Sequence, residues 1–154
     1  MPARPIIFRE ARREDVPAIV ALLEDDAIAA SRAAGDAAHP GDYEHAFDAI
    51  DADPRNFLIV ADDGGAIVGT LQLTYIPSLS RRASERVQVE AVRVRSDLRG
   101  RGIGRLMMEW VVEQAKARGC RVIQLTTDKR RVDAHRFYAS LGFESTHEGM
   151  KLVL

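Results

Sequence analysis

With 154 residues, 46% hydrophobic and 29% charged, and a net charge of −1, the chain has the material for one domain with its own core and is short for two, so a single domain over residues 1–154 is expected. No apolar run approaches the roughly 18 residues of a membrane span, and no basic and then apolar leader is present. The near-neutral balance, with no aromatic but Trp110 interleaved in the basic middle, argues against a nucleic-acid partner.

These exclusions leave a soluble, cytoplasmic protein without a membrane partner, and the single Cys120 agrees with a reducing compartment. Charge is uneven along the chain. Residues 1–80 carry 6 basic and 14 acidic residues, a net of −8, whereas residues 81–136 carry 15 and 7, a net of +8. Such polarity fits a chain that handles an anionic ligand and a cationic one, or an arginine-rich surface that meets only solvent.

In chain order, Ile6 to Arg9 reads as a short strand. Val16, Ile19, Val20 and Leu23 share one face of a first helix. Ala27 to Gly41 reads as a loop or irregular helix end. Asp42 is expected to cap a second helix whose apolar side is Tyr43, Phe47 and Ile50, ending near Pro54. "NFLIVA", "DDGG" and "AIVGTLQLTY" form a hairpin, and "SLSRRASE" is a loop.

In "RVQVEAVRV" the period-2 pattern changes phase between Ala91 and Val92. Either a β-bulge sits there, or the strand is buried on both faces. After "LRGRGIG", Ile103, Leu106, Met107, Trp110, Val111 and Ala115 form a helical stripe that Gly119 closes. "RVIQLTT" is a further strand. Asp133 can cap a helix "AHRFYASL" that Gly142 closes, and "HEGMKLVL" can be a final strand.

Glycines between a strand and a helix let successive N–H groups converge, and the helix N-terminus adds partial positive charge. With Arg99, Arg101 and Arg105 interleaved, "LRGRGIG" reads as an anion cradle for a phosphate-bearing ligand. It matches neither the dinucleotide fingerprint nor a P-loop.

"VRVRSDLRGRGIGRLMMEWVVEQAKARGC" resembles the acetyl-CoA-binding motif of the GNAT family of N-acetyltransferases, with Arg99, Gly102 and Gly104 on the core pattern. "VEAVRV" resembles that family's bulged fourth strand and "DAHRFYASLGF" its second motif. "RRVDAHRFYASLGFESTHEGMK" is also similar to aminoalkylphosphonate N-acetyltransferases. The resemblance implies an α/β (α+β) GNAT fold, with a central mixed, mostly antiparallel sheet, a bulged fourth strand and about four flanking helices.

The same resemblance implies acetyl-CoA as cosubstrate and direct transfer to a primary amine in a ternary complex. Backbone at Val92, Arg93 and Val94 then holds pantetheine and the acetyl carbonyl. N–H groups over Arg99, Gly100, Arg101, Gly102, Ile103, Gly104 and Arg105 hold the pyrophosphate. Tyr138 corresponds to the general acid toward sulfur, and Glu90 to the base or an ordinary strand carboxylate. Arg131 stands where many members carry Asn, so that Asn's contacts do not carry over; an arginine there can meet a phosphate. His135 and Asp133 are secondary candidates, and Cys120 reads as a small core residue. The four histidines show no metal-ligand spacing, and no metal is expected.

By resemblance the acceptor site falls near Ile28 to Phe47, whose acidic residues favour a cationic amine, while the phosphonate similarity favours an anionic one. A protein acceptor, a non-catalytic CoA-sensing module and a homodimer are the alternatives carried forward.

Overall fold

A computed structural model describes residues 4–32 and 38–154. The chain forms two compact units, Met1–Gln124 and Leu125–Leu154. A five-stranded sheet runs β1 (Ile7–Glu10), β2 (Asn56–Asp63), β3 (Ala66–Ile76), β4 (Arg86–Val94), β5 (Val122–Leu125), in that spatial order. The first three pairings are antiparallel. It is the expected mixed, mostly antiparallel α/β sheet of a GNAT fold.

Among the described residues, four full helices accompany it: α1 (Val16–Glu24), α3 (Asp42–Ala52), α5 (Ile103–Arg118) and α6 (Val132–Ser140). Two short segments add to them. α2 (Ala27–Arg32) occupies the start of the expected loop, the rest of which lies partly outside the described residues. α4 (Ser80–Ala83) is a left-handed turn in which Arg81, Arg82 and Ala83 have φ of 51°, 59° and 58°.

Two apolar layers pack on opposite sides of the sheet. Val60 meets Ala11, Val16, Ile19 and Phe47 beneath α1 and α3, with Leu58 and Ile67 partly buried at its margin. On the α5 side, Leu71, Leu73, Val87 and Val89 are buried, as are Met107, Met108, Val111 and Ala115 of the helix. Leu106, placed by its spacing in the apolar stripe, is instead 48% exposed. Residues 103, 107, 111 and 115 already fill the seam at four-residue steps, and Met108 takes its side.

β3 comes close to α5 and β4 at Gly69, where an added Cβ would lie 2.8 Å from Met107 Sδ and 3.2 Å from the Arg93 carbonyl oxygen. One of those neighbours is backbone and cannot move cheaply. Gly69→Val is expected to cost about 3 kcal/mol, read as a lowered denaturant midpoint with unchanged slope.

A charged cluster ties the first strand to the first helix. Arg9 donates to both Asp15 oxygens (2.7 and 3.1 Å) and to Asp62 (3.0 Å), and Asp15 also accepts the Arg12 N–H at 2.7 Å. The Arg9 hydrogen bond outweighs burial and holds the Asp15 carboxyl below the usual carboxylate range. A depressed folded pKa stabilises the fold above the unfolded value of about 4 and is lost as pH falls through the folded one. Asp15→Asn is therefore expected to lose about 2–3 kcal/mol at pH 7, somewhat less than a fully buried pair because Arg9 keeps a fifth of its side-chain surface. The variant's deficit should shrink in melts below pH 4; a constant deficit from pH 7 to 3 would refute the assignment.

Three terminal expectations are corrected. Gly41, in the left-handed region, is the N-cap of α3, and Asp42 instead accepts the His39 N–H at 2.6 Å. Arg131 is the N-cap of α6, and Asp133 lies inside its first turn, where a carboxylate still complements the helix dipole. The final strand does not form: residues 147–154 are in no strand, and Met150, Leu152 and Val153 are exposed. Apolar alternation gives strand propensity, but a strand exists only where a neighbouring edge completes its ladder.

Candidate active site

The phase change in β4 is a bulge. Thr70 pairs with Arg93 and Gln72 with Glu90, so Ala91 and Val92 together oppose Leu71. Ala91 has φ of 52°, a conformation costly for a residue with a Cβ. A bulge leaves backbone groups out of the ladder and turns them toward a ligand. Val92 within the bulge and Val94 just after it are half-buried, and Glu90 immediately before it is exposed.

The cradle follows within ten residues. Gly100 and Gly102 have φ of 77° and 84°, and an added Cβ at either would meet nothing within 4 Å. Gly102 is the N-cap of α5, so Ile103, Gly104 and Arg105 form its opening turn, where backbone N–H groups point out along the helix axis. Arg99, Arg101 and Arg105 are exposed around them. Open space, converging donors, a helix dipole and positive charge together suit a pyrophosphate.

Two side chains bind the α1–α2 elbow to this strand. Arg93 Nη2 lies 3.1 Å from Asp26 Oδ2, with only 17% and 8% of the two side chains exposed. Arg93 Nη1 donates to the Val92 carbonyl at 2.9 Å. Asp26 Oδ1 meanwhile accepts the Ile28 and Ala29 N–H groups that start α2. Arg99 reaches the carbonyls of Val94 and Asp25 at 3.4 and 3.5 Å. Sequence reasoning passed over Asp26, although an Asp before an Ala-rich helical stretch is an N-cap signal.

Much of the acidic charge around the expected acceptor segment is engaged locally. Asp26 pairs with Arg93, Asp48 with Arg13, and Asp53 accepts from the Arg55 N–H and the Asn56 amide.

Tyr138 and Arg131 belong to the second unit, on α6 and at its N-cap. The half-buried Tyr138 ring stands edge-on to Phe137 and Phe143, at 5.1 and 5.7 Å between centroids, and its carbonyl accepts the Leu141 and Phe143 N–H groups, both at 3.1 Å. His135 Nε2 lies 3.0 Å from the Asp128 carbonyl oxygen. Cys120 is half-buried; burial, with Glu85 3.7 Å from its sulfur, pushes the thiol pKa up and makes it a poor nucleophile.

Residues 9–143 match the family model described as the acetyltransferase (GNAT) family. An aminoalkylphosphonate N-acetyltransferase of Salmonella typhimurium strain LT2 is 30% identical over 95 residues, which span 62% of this chain and 61% of that enzyme. The crystal structure of a protein described as a transcriptional regulator from Bacillus halodurans C-125 superposes with a TM-score of 0.91 at 44% identity, covering 97% of this chain and all of that one. A putative acetyltransferase from Agrobacterium tumefaciens strain C58 gives 0.83 at 27% identity over 97% of this chain and all of that one.

Proposed function

The chain belongs to the acetyltransferase (GNAT) family, whose members are N-acetyltransferases that use acetyl-CoA, and from that premise we propose that it acetylates a primary amine of a small molecule within a ternary complex. The observation that carries the reading is the left-handed Ala91 bulge followed at once by the Gly100–Gly102 cradle on α5. Residues 1–154 act as one domain in this reading, supported by a family match that runs through both units.

Acetyl-CoA supplies the activated acetyl group and a thiolate leaving group. Backbone at Val92, Arg93 and Val94 binds pantetheine and polarises the acetyl carbonyl, an oxyanion-hole role that depends on donors fixed in advance. The N–H groups from Arg99 to Arg105 hold the pyrophosphate, with Arg131 as a further phosphate partner. Glu90 accepts the proton of the attacking amine, directly or through water. The Tyr138 hydroxyl donates to the departing sulfur, as a phenol protonated at neutral pH is able to do.

A second reading, a non-catalytic acetyl-CoA sensor, has one finding in its favour: the 44%-identical Bacillus halodurans protein is described as a transcriptional regulator. Free-thiol release from acetyl-CoA across polyamines, amino acids, amino sugars, aminoalkylphosphonates and lysine peptides separates the two. Turnover with a small amine is the expected result, and turnover with peptides alone makes the acceptor a protein. A flat panel with calorimetric acetyl-CoA binding establishes the sensor, and absence of both overturns the coenzyme reading.

A further inference from the structure

The sheet face turned away from α5 carries a polar patch on β3 and β4. Gly69 and Tyr75 fix the orientation of β3: a Cβ on Gly69 would touch Met107, and the Arg118 guanidinium lies 4.0 Å over the Tyr75 ring. Leu71 and Leu73 share that side, as do Val89 and Val87, which pair with Leu73 and Tyr75. Gln72, Thr74, Arg86, Gln88 and Glu90 therefore occupy the opposite side.

Register aligns these residues into rows. Asn56 pairs with Thr74 and Thr74 with Gln88, Gln72 pairs with Glu90, and Ile76 with Arg86. Thr74 Oγ1 and Gln72 Nε2 both donate to Asn56 Oδ1, at 2.8 and 3.2 Å, and Gln124 Nε2 donates to Gln88 Oε1 at 2.6 Å. Asn56 Oδ1 has both lone pairs engaged by these bonds, whereas Gln72 and Gln88 are each pinned by one bond and keep further donors and lone pairs, since an amide offers two of each. All of these amides are half-buried, while Glu90 at the bulge end is exposed.

Arg86 closes the other end. Its Nε is fully buried with no hydrogen-bond partner among the described residues. A buried donor left unmet costs stability unless something else meets it. Arg86 precedes Glu90 by four strand residues on the same side, a Cα separation of about 13 Å. The floor thus presents a carboxylate, neutral amides and hydroxyl, then a guanidinium.

The geometry points to an elongated polar amine with an anionic group remote from the nitrogen as the acceptor, an assignment that rests on the acetyl-transfer reading. The nitrogen lies at Glu90, its hydrogen-bonding middle lies over Gln88 and Thr74, and its anion meets Arg86. Apolar alkylamines fit this floor poorly, because they bury its amides without replacing their water contacts.

The test is kcat/KM, with saturating acetyl-CoA, for 6-aminohexanoate, 5-aminopentylphosphonate, 6-aminohexanol and hexylamine. Either anionic amine is expected to exceed hexylamine by about 100-fold, the worth of one charge-assisted bond with its polar neighbours. A phosphonate preferred over the carboxylate narrows the anion to a dianion; equal rates leave it a general anion. Arg86→Gln should cut the ratio of anion to hexylamine at least ten-fold, carried by KM for the anion, and Arg86→Lys should restore part of it. Gln88→Leu should raise kcat/KM for hexylamine, because the alkyl chain then buries an apolar side chain instead of an amide. Hexylamine turned over as well as the anions, or an unchanged ratio in Arg86→Gln, overturns the assignment while leaving acetyl transfer standing. Failure of all amines together with failure to bind acetyl-CoA overturns both.

Discussion

Replacing Tyr138 by phenylalanine is expected to lower kcat about 100-fold while leaving acetyl-CoA affinity within about two-fold. A positioned general acid contributes roughly 10²–10⁴. The lower end applies because the departing thiolate has a conjugate acid near about 8.5 and leaves tolerably well unaided. The ring contacts with Phe137 and Phe143 and the carbonyl bonds to Leu141 and Phe143 survive removal of one hydroxyl. Stability should therefore change by no more than about 1 kcal/mol. A loss confined to the transition state lowers kcat and kcat/KM together, so single-turnover thiol release beside calorimetric coenzyme binding is the decisive pair. A variant within three-fold of native kcat would remove Tyr138 as the acid and move attention to water or His135, its neighbour on α6.

How much of this was legible in the sequence depends on how local the signal was. The bulge declared itself because a period-2 pattern can change phase only by gaining a residue or losing its exposed face, and Ala91 took the first course. Gly119 and Gly142 end their helices at φ of 84° and 93°, as glycines after an apolar stripe do. Aspartate misled twice, at positions 42 and 133, because it is favoured at the N-cap and in the first turn alike. The Asp26–Arg93 pair spans 67 residues of chain, and no spacing rule reaches that far. The polar floor lay half in view: "RVQVE" and "LQLTY" each alternate, but only the register sets Gln88 beside Thr74. The final strand failed for the opposite reason, since its pattern was present and its ladder was not.

Gly102→Val is expected to weaken acetyl-CoA binding about 100-fold, and a matched substitution shows why the loss belongs to the ligand. Gly102 and Gly119 cap the two ends of α5 with the same φ of 84°, and an added Cβ at either meets nothing within 4 Å. A β-branched residue forced left-handed costs about 1–2 kcal/mol at each position. The stability penalties of Gly102→Val and Gly119→Val should thus be alike. Only at Gly102 does the new side chain stand among the first N–H groups of α5 and the arginines flanking them. Blocking one or two charge-assisted bonds there, at about 1.5–3 kcal/mol each, gives the predicted affinity loss. Calorimetric titration of both variants at 5 °C, where each stays folded, makes the comparison. Equal affinity losses would mean that helix strain alone weakens binding, and a Gly102 variant that binds normally would place the pyrophosphate elsewhere.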